Sequence, residues 1–386
     1  MRRVPVVPVL TLCAAAAGPL HAHSGPGAHS ARKSRPVAQG AETPTAARVV
    51  PPAGHRAGGG ETPPPASGQG EMRFRVLYGS ERLPEAARAV LPQAHGGFAV
   101  DRRAGRGETY FALPGAGILQ IASDLQSIRA LPTPEALRDV NLHNATLWRA
   151  PDGAPYLSFP ANDEGKVFTT TLEGELVHTL GAPSGESDLG HPTVNEYFRV
   201  GGRFTPTDVD VLRGWLYVTT GYSDLDYVLT ARVEADAPLD IEWNDLAFGG
   251  RGTGPGRLGT GHGVTVVGER IEVADRPHAE VDRFTRYGHY LSTLALPAGS
   301  FPCDIDYEDG YSVVGALHGP DRTRGAPIYV LQGDRVVSAV HPKDELGLEG
   351  FQHVHNAVLR RIGERFYIIA QAWNPGDFAV LEQVKD

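Results

Sequence analysis

Histidine or aspartate stands at the start of six short segments of this 386-residue sequence. These starts are His95, His143, Asp208, His262, Asp304 and His355. Three imidazoles that met around one point could bind a zinc ion and leave a fourth position open, which is the arrangement of a catalytic zinc site. The aspartates could then act as outer partners that fix the imidazole tautomers. Whether these distant residues can meet depends on the elements that carry them.

The segment from 261 to 296 shows how such a start continues. It contains four short runs with the period of a β-strand, separated by turn residues. The runs are Val264–Val267, Arg270–Ala274, Ala279–Thr285 and His289–Leu296. Four antiparallel strands in roughly 40 residues form one propeller blade. A single blade cannot bury both faces, so the rest of the chain must supply neighbours.

Comparable segments begin near 95, 143, 206, 262, 302 and 355. The sequence therefore predicts an all-β fold, a six-bladed β-propeller over residues 72–386. The last blade has room for about three strands, and the alternating run Met72–Tyr78 could supply its outer strand and close the ring. Two insertions, Ser184–Gly202 and Glu234–Gly259, are expected on a face of the propeller, where such loops often roof a binding site.

The innermost strand of each blade lines the central channel, so residues at the six starts converge. His143, His262 and His355 fall on the second, fourth and sixth blades, and Asp208 and Asp304 alternate with them. We therefore predict a metal site of these three histidines. Each histidine could instead only hydrogen-bond the neighbouring backbone. Other histidines fit ordinary structural roles, namely His191, His278, His289, His341 and His353, and Cys303 fits a buried apolar position.

The charge of the chain argues against two classes of partner. The formal net charge is −9, the pI is about 5.9, and no block of Lys and Arg is present. Nucleic acid and anionic membranes are therefore not expected as partners. No apolar run beyond the N-terminus is long enough to span a membrane. We expect a monomer that takes a small molecule or peptide at its central channel.

The N-terminal residues resemble an export signal. Residues 1–22 combine Arg2 and Arg3 with an apolar stretch and a small residue at Ala22, although proline interrupts the stretch. A lipoprotein anchor at Cys13 and a mis-called start are the alternatives. Residues 23–71, rich in Ala, Gly, Pro, Ser and Thr, predict a disordered linker. The mature protein would be periplasmic or extracellular and would keep only Cys303, which excludes an intramolecular disulfide.

Several motifs resemble the NHL-type six-bladed propeller of peptidyl-α-hydroxyglycine α-amidating lyases over roughly residues 95–385. Leu142-His143-Asn144-Ala145 is similar to the family's Pro-His-Gly-Leu. The motifs that resemble its other signatures are Leu180–Pro183 with Gly185–Asp188, Phe204–Val209, Val218–Ser223, Gly261–Val264 with Val273–Arg276, and Val354–Asn356. The resemblance implies zinc on His143, His262 and His355, a general base at Tyr222 and a charge-stabilising Arg276.

The implied reaction is cleavage of the C–N bond of an α-hydroxylated amide, which releases an amide and a glyoxylate-type aldehyde. The residue types suit it, since zinc would polarise the hydroxyl and a tyrosine with a pKa lowered by metal and arginine would take the proton. The alternative is that Tyr222 packs between blades while Arg276 pairs with Asp275 or Asp226.

The sequence departs from the family pattern at several points. The family's first-blade arginine has no clear equivalent, because Arg102, Arg103 and Arg106 fit a solvent-exposed turn. The family's structural calcium would use the Ala145 carbonyl and a carboxylate where this chain has Asn356, which makes calcium doubtful since an amide is a weaker ligand. Asn356 remains a possible outer partner of the metal site. No hydroxylase domain accompanies the propeller, so a substrate must arrive already hydroxylated.

Two other functions remain open from the sequence. The chain could be a non-catalytic propeller that binds a peptide, a glycan or a protein. It could also be a metal-dependent lactone or ester hydrolase with Asp208 or Asp304 as its base, by analogy with other propellers. Three imidazoles also accept copper, nickel or iron, so zinc follows from the resemblance and not from the ligand set alone.

Overall fold

The computed structural model describes residues 64–236 and 238–385. The predicted signal at 1–22 and the predicted linker as far as residue 63 lie outside the described residues. Within the described ranges the chain forms six antiparallel sheets arranged as the blades of a propeller, which confirms the predicted fold class. No helix in the described part of the chain is long and apolar enough to cross a membrane.

Each of the first five blades has four strands, numbered outward from the channel. Blade 1 contains β3 (Phe98–Val100), β4 (Thr109–Leu113), β5 (Gly117–Ile121) and β6 (Ile128–Ala130). Blade 2 contains β7 (Thr146–Arg149), β8 (Pro155–Ala161), β9 (Lys166–Thr171) and β10 (Leu176–Leu180). Blade 3 contains β11 (Asp208–Leu212), β12 (Trp215–Thr219), β13 (Tyr227–Asp236) and β14 (Leu239–Gly249). Blade 4 contains β15 (Gly261–Val267), β16 (Arg270–Asp275), β17 (Glu280–Thr285) and β18 (Tyr290–Ala295).

Blade 5 contains β19 (Pro302–Glu308), β20 (Tyr311–Ala316), β21 (Ile328–Gln332) and β22 (Arg335–Val340). Blade 6 joins both ends of the described chain, in the order β1 (Ser67–Gln69), β2 (Met72–Gly79), β25 (Asp377–Gln383), β24 (Arg365–Trp373) and β23 (His353–Ile362). Four short helices connect strands, namely α1 (Glu85–Ala89), α2 (Glu135–Arg138), α3 (Pro192–Arg199) and α4 (Pro342–Leu346), beside 3₁₀ turns at Ser80–Arg82 and Leu91–Gln93.

Strand β2 closes the ring as predicted from its alternation. Phe74 pairs with Gln383 and Val76 pairs with Leu381 across the β2–β25 ladder. The Phe74 side chain is fully buried. The predicted linker ends too late, however, because Ser67–Gln69 form β1 and pair antiparallel with β2. A two-residue turn after a short polar segment is enough for that pairing, and it leaves no strong hydrophobic pattern in the sequence.

The two predicted insertions have different outcomes. Most of Glu234–Gly259 is strand, because β14 is the outer strand of blade 3 and pairs with β13. The interpretation of that range as an insertion was therefore wrong: polar residues on the outer hairpin hide its strand period. Ser184–Gly202 does carry an inserted element, α3, whose Val194 and Phe198 pack onto the core of blade 3.

Side chains from one inner strand bind the next and hold the hub together. Asp208 accepts a hydrogen bond from the Val264 amide at 2.8 Å, and Asp306 accepts one from the Leu359 amide at 2.7 Å. The inner strands come so close at the start of blade 1 that a Cβ on Gly97 would lie 2.1 Å from Oδ1 of Asn144. The hub is therefore a compact layer of polar side chains with fixed positions.

Candidate functional site

The structure brings the three predicted histidines together at one end of the channel. The ring centroids of His143 and His355 lie 4.7 Å apart, and those of His143 and His262 lie 4.8 Å apart. The His262 and His355 rings are separated by 5.2 Å. All three residues are buried, and the Nε2 atoms of His143 and His355 are 3.2 Å from each other. Alternate blades thus aim three imidazoles at one volume.

A fourth histidine, which the alternation argument left out, joins this group. His95 comes just before β3, and its ring lies 4.6 Å from that of His143 and 4.5 Å from that of His355. One nitrogen from each of these three residues lies within 4.8 Å of the other two. The signal for His95 was present in the sequence, since it stands at a blade start like the others. The hub thus holds four histidines, of which His262 is set slightly apart.

Backbone carbonyls fix the tautomers of the three predicted ligands. Nδ1 of His143 lies 2.6 Å from the Thr207 carbonyl oxygen, and Nδ1 of His262 lies 2.8 Å from that of Cys303. Nδ1 of His355 lies 2.9 Å from the Gly96 carbonyl oxygen. A carbonyl can only accept, so each Nδ1 carries the proton and each Nε2 presents a lone pair.

The prediction that Asp208 and Asp304 fix these tautomers was therefore wrong. The residues directly before them, Thr207 and Cys303, supply the carbonyls instead. Asp208 binds amides of the inner strands, while Asp304 accepts from the Thr265 hydroxyl at 3.0 Å and from Nδ2 of Asn356 at 3.2 Å. The carboxylates form a polar layer next to the histidines and do not bind the imidazoles.

Burial favours the neutral form of the four hub histidines. Burial lowers the pKa of His95 to about 3, and burial holds the pKa values of His143, His262 and His355 well below the usual range. The positive charge of Arg276 adds to the lowering in each case. Neutral imidazole is the form that binds a metal.

Tyr222 and Arg276 lie beside the histidines, as the resemblance implied. The Tyr222 hydroxyl oxygen is 3.1 Å from Nε2 of His262 and accepts a hydrogen bond from Nη1 of Arg276 at 2.7 Å. The residue keeps 37% of its surface exposed, so the ring borders solvent while the hydroxyl points inward. Burial of the hydroxyl raises the Tyr222 pKa, and Arg276 opposes that rise only in part. Without a metal ion, the protein therefore does not lower the pKa of Tyr222 as expected.

Arg276 is a buried cation that pairs with no carboxylate of the described residues. It is 6% exposed, and its hydrogen-bond partners among the described residues are Tyr222 and Sγ of Cys303, the latter at 3.1 Å. Its Nε atom has no partner in this part of the chain. The alternative pairing with Asp275 or Asp226 is not formed, because those carboxylates bind backbone amides of residues 259–261. Cys303 is fully buried as predicted, yet it touches this guanidinium.

The arginines of blade 1 lie at the other end of the channel. Arg102 pairs with Asp306 and Glu308, and Arg103 pairs with Asp101. A cavity of about 700 Å³ occupies the channel at that end, between the carboxylate layer and these arginines. Blade 1 therefore contributes an imidazole, His95, to the histidine centre, while Arg102 and Arg103 lie away from it.

The donor set of the hub fits a zinc ion. Unprotonated Nε2 atoms of His143 and His355 face each other across 3.2 Å with no hydrogen that either could share, since both protons are on Nδ1. Two lone pairs at that distance repel unless a cation or a proton lies between them. Imidazole nitrogen is a common zinc ligand, and His262 or His95 could complete three ligands.

No protein-family model matches the sequence, and no curated protein matches it either. Solved structures with a similar fold include a catalytically inactive variant of virginiamycin B lyase from Staphylococcus aureus with quinupristin, at 13% identity and TM-score 0.43, over 76% of this chain and 96% of that one. A streptogramin B lyase matches at 15% identity and TM-score 0.43, over 75% and 94% of the two chains. BamB from Moraxella catarrhalis matches at 13% identity and TM-score 0.38, over 75% and 85%. The likenesses concern the propeller alone.

Proposed function

We propose that this protein is a metal-dependent carbon–nitrogen lyase acting on a small α-hydroxylated amide that carries a carboxylate. One observation carries the proposal: a buried arginine with no carboxylate partner in residues 64–236 and 238–385 stands beside a tyrosine hydroxyl and a cluster of histidines. A buried charge needs a counter-charge. A substrate carboxylate would supply it at Arg276.

Substrate binding follows from the shape of the arginine. A guanidinium binds a carboxylate through two parallel N–H bonds, and Nε of Arg276 has no partner among the described residues. Tyr222, half exposed at the edge of the site, provides the side by which a ligand would enter. A carboxylate held at Arg276 would place the adjoining carbon next to the Tyr222 oxygen, which is 2.7 Å from Nη1 of that arginine.

Zinc would be held by His143, His262 and His355, with His95 beside them, and would supply a Lewis acid toward the substrate hydroxyl. The reaction needs no water and no oxidant. The hydroxyl O–H bond breaks, a carbonyl forms at that carbon, the C–N bond breaks, and the amide nitrogen receives a proton. In this proposal Tyr222 takes the first proton as phenolate and returns it to the nitrogen. Arg276 stabilises the phenolate that this role requires.

The alternatives receive less support from the hub. A hydrolase needs a base for water, and both oxygens of Asp208 are engaged by backbone amides, while Asp304 binds Thr265 and Asn356. A binding propeller would have no need of facing imidazole lone pairs. We further propose that the protein is exported and that residues 1–22 are its removable signal.

The test is the metal content of the purified full chain by mass spectrometry, with hydroxyglycine amides as substrates. We expect about one zinc per chain at the hub. The triple variant His143→Ala, His262→Ala, His355→Ala should lose it, and the control His289→Ala, at an exposed position, should keep it. Absence of stoichiometric metal after reconstitution would overturn the lyase proposal and favour a binding propeller. A zinc content in the triple variant equal to that of the wild type would place the zinc elsewhere.

A further inference from the structure

A second cluster of titratable side chains lies where blade 4 meets blade 3. Asp275 ends β16, Glu280 begins β17, and the two are cross-strand partners on one face of the blade. His278 lies in the corner between them, with Nδ1 2.7 Å from Asp275 and 3.8 Å from Glu280. Nitrogen and oxygen atoms of these three residues all lie within 4.8 Å of one another. This group is separate from the histidines of the hub.

Two more carboxylates border this group. Asp282 stands two residues after Glu280 and so faces the same side of β17. Asp226, from the β12–β13 connection, accepts the Gly261 amide at 2.9 Å, next to the Gly259 and Thr260 amides that bind Asp275. Burial raises the pKa of Asp226 to about 6, and the charge of Asp275 contributes to that rise. Five acid or imidazole groups thus share one small region.

Little positive charge lies within this region, although Arg251 is close enough to oppose the rise in the pKa of Asp226. Within the described residues, His278 is the one basic side chain that pairs with any of these four carboxylates. Asp226 and Asp282 are 1% and 0% exposed, and Oδ2 of each has no hydrogen-bond partner in the described chain. An unpaired buried carboxylate oxygen costs free energy unless a cation or a proton meets it. Two such oxygens beside an Asp–His–Glu group indicate a ligand with positive charge.

We propose that this cluster, Asp275, His278 and Glu280 with Asp226 and Asp282 beside them, is a second metal site that binds one divalent cation. The ion would lie between blades 3 and 4. His278 and Glu280 have 23% and 27% of their side chains exposed, so the ion has a route from solvent. Asp275 is fully buried and forms the floor of the site.

The ligand types favour Mn²⁺ or Zn²⁺. Carboxylate oxygens suit Mg²⁺, Ca²⁺ and Mn²⁺, whereas imidazole nitrogen suits Zn²⁺ and the later transition metals. A mixed set of several carboxylates and one imidazole is best met by an ion that accepts both, which disfavours Ca²⁺ and Mg²⁺. The ion would also fix the β16–β17 corner, and Arg276 is the first residue of that corner.

The experiment is a titration of the full chain with Mn²⁺. Electron paramagnetic resonance measures the concentration of free Mn²⁺ at each point. The double variant His278→Gln, Glu280→Gln removes two half-exposed ligands and leaves the amide contacts of Asp275 in place. The matched control is Glu269→Gln, an exposed carboxylate that pairs with Arg213. A further variant, His355→Ala, reports on the hub. Circular dichroism and melting temperature verify that each variant is folded.

We expect the double variant to lose one class of Mn²⁺ sites, with binding weakened at least about tenfold, while Glu269→Gln binds like the wild type. Competition by Zn²⁺ at lower concentration than Ca²⁺ would agree with the imidazole ligand. An unchanged Mn²⁺ binding curve in the folded double variant would overturn the proposal. Competition by Ca²⁺ at the same concentration as Zn²⁺ would also overturn it. A hub without metal would change only the His355→Ala arm, so the two proposals can fail separately.

Discussion

Asp275 and Arg276 are adjacent in the chain, yet their side chains belong to two clusters of opposite character. The hub collects neutral histidines around a buried guanidinium that faces no carboxylate, whereas the blade 3–4 cluster collects four carboxylates around one imidazole. Each cluster lacks the charge that the other has in excess, although a single peptide bond separates them. Since the protein does not pair these charges with each other, we infer that each is completed from outside, one by an anionic substrate and one by a cation.

The largest effect should come from replacing Arg276, the buried guanidinium of the hub. Arg276→Gln should lower kcat/KM by about 10² to 10³ on a hydroxylated amide that carries a carboxylate, because the guanidinium both binds that group and stabilises the Tyr222 phenolate. An analogue with a neutral amide in place of the carboxylate should lose much less. Steady-state kinetics on both substrates measures the difference, with Arg286→Gln as a surface control. Equal losses on the two substrates would contradict anion binding at Arg276.

The next prediction compares how Asp275 and Arg276 contribute to the free energy of unfolding. Asp275→Asn should lower the free energy of unfolding by about 2 to 3 kcal/mol, because its carboxylate accepts hydrogen bonds from the Gly259 and Thr260 amides and from His278. Arg276→Met should leave that free energy unchanged or raise it, since it removes a buried charge without a carboxylate partner. Urea denaturation in a chelator measures both. A loss in Arg276→Met as large as that in Asp275→Asn would erase the contrast.

Asp210 provides a half-buried carboxylate that needs no cation, because Val211, Val266 and Thr146 donate hydrogen bonds to it. Burial raises its pKa to about 6. Between about pH 4 and pH 6 the folded state keeps a proton that the unfolded state has lost, so this group's contribution to stability falls as the pH rises. Replacement of Asp210 by Asn should therefore reduce the loss of unfolding free energy between pH 4.5 and pH 7 by about 2 kcal/mol.

The fall attributed to Asp210 should be the same with Mn²⁺ and with a chelator. Urea denaturation at pH 4.5 and pH 7 of the wild type and Asp210→Asn gives the comparison. A dependence of the Asp210 contribution on Mn²⁺ would mean that cations enter the channel as well as the blade 3–4 cluster.

The smallest expected effect concerns competition inside the hub. The Tyr222 hydroxyl donates to Nε2 of His262, the same lone pair that a metal would use. Tyr222→Phe should therefore tighten zinc binding about fivefold, the equivalent of one neutral hydrogen bond, while activity falls. Competition with a chromophoric chelator measures the affinity, and Tyr287→Phe, at an exposed position, is the control. Weaker zinc binding in Tyr222→Phe would show that the tyrosine supports the metal.

The sequence allowed the fold and the meeting of the hub histidines to be predicted, because both follow from a repeat. Alternation marks the strands, and the start of each inner strand repeats at the channel, so His143, His262 and His355 had to converge. The partners of their Nδ1 atoms could not be predicted, since a backbone carbonyl carries no residue signature. His95 was missed because an argument from alternate blades excludes neighbours of the chosen three.

The blade 3–4 cluster escaped the sequence for a different reason. Asp275, His278 and Glu280 lie at an ordinary strand corner, where charged residues usually face solvent, and His278 fitted a structural role. Only the register of β16 against β17, and the approach of Asp226 from another blade, shows that the carboxylates share one buried region. Packing between blades determines which carboxylates come together, and no local sequence pattern indicates that packing.

The pairing of β2 with β25 sets the order in which the molecule can be completed. Strand β2, which closes the ring, is made before blades 1 to 5, and its partner β25 is made more than 300 residues later. Blades 1 to 5 can form their own sheets as they emerge, but Met72–Gly79 can pair only with the short strand β1 until β23, β24 and β25 exist. During that interval a strand that is largely buried in the folded protein has an exposed edge. It can then aggregate or bind a chaperone. Completion of the hub, to which blade 6 contributes His355, is thereby tied to the synthesis of β23, β24 and β25.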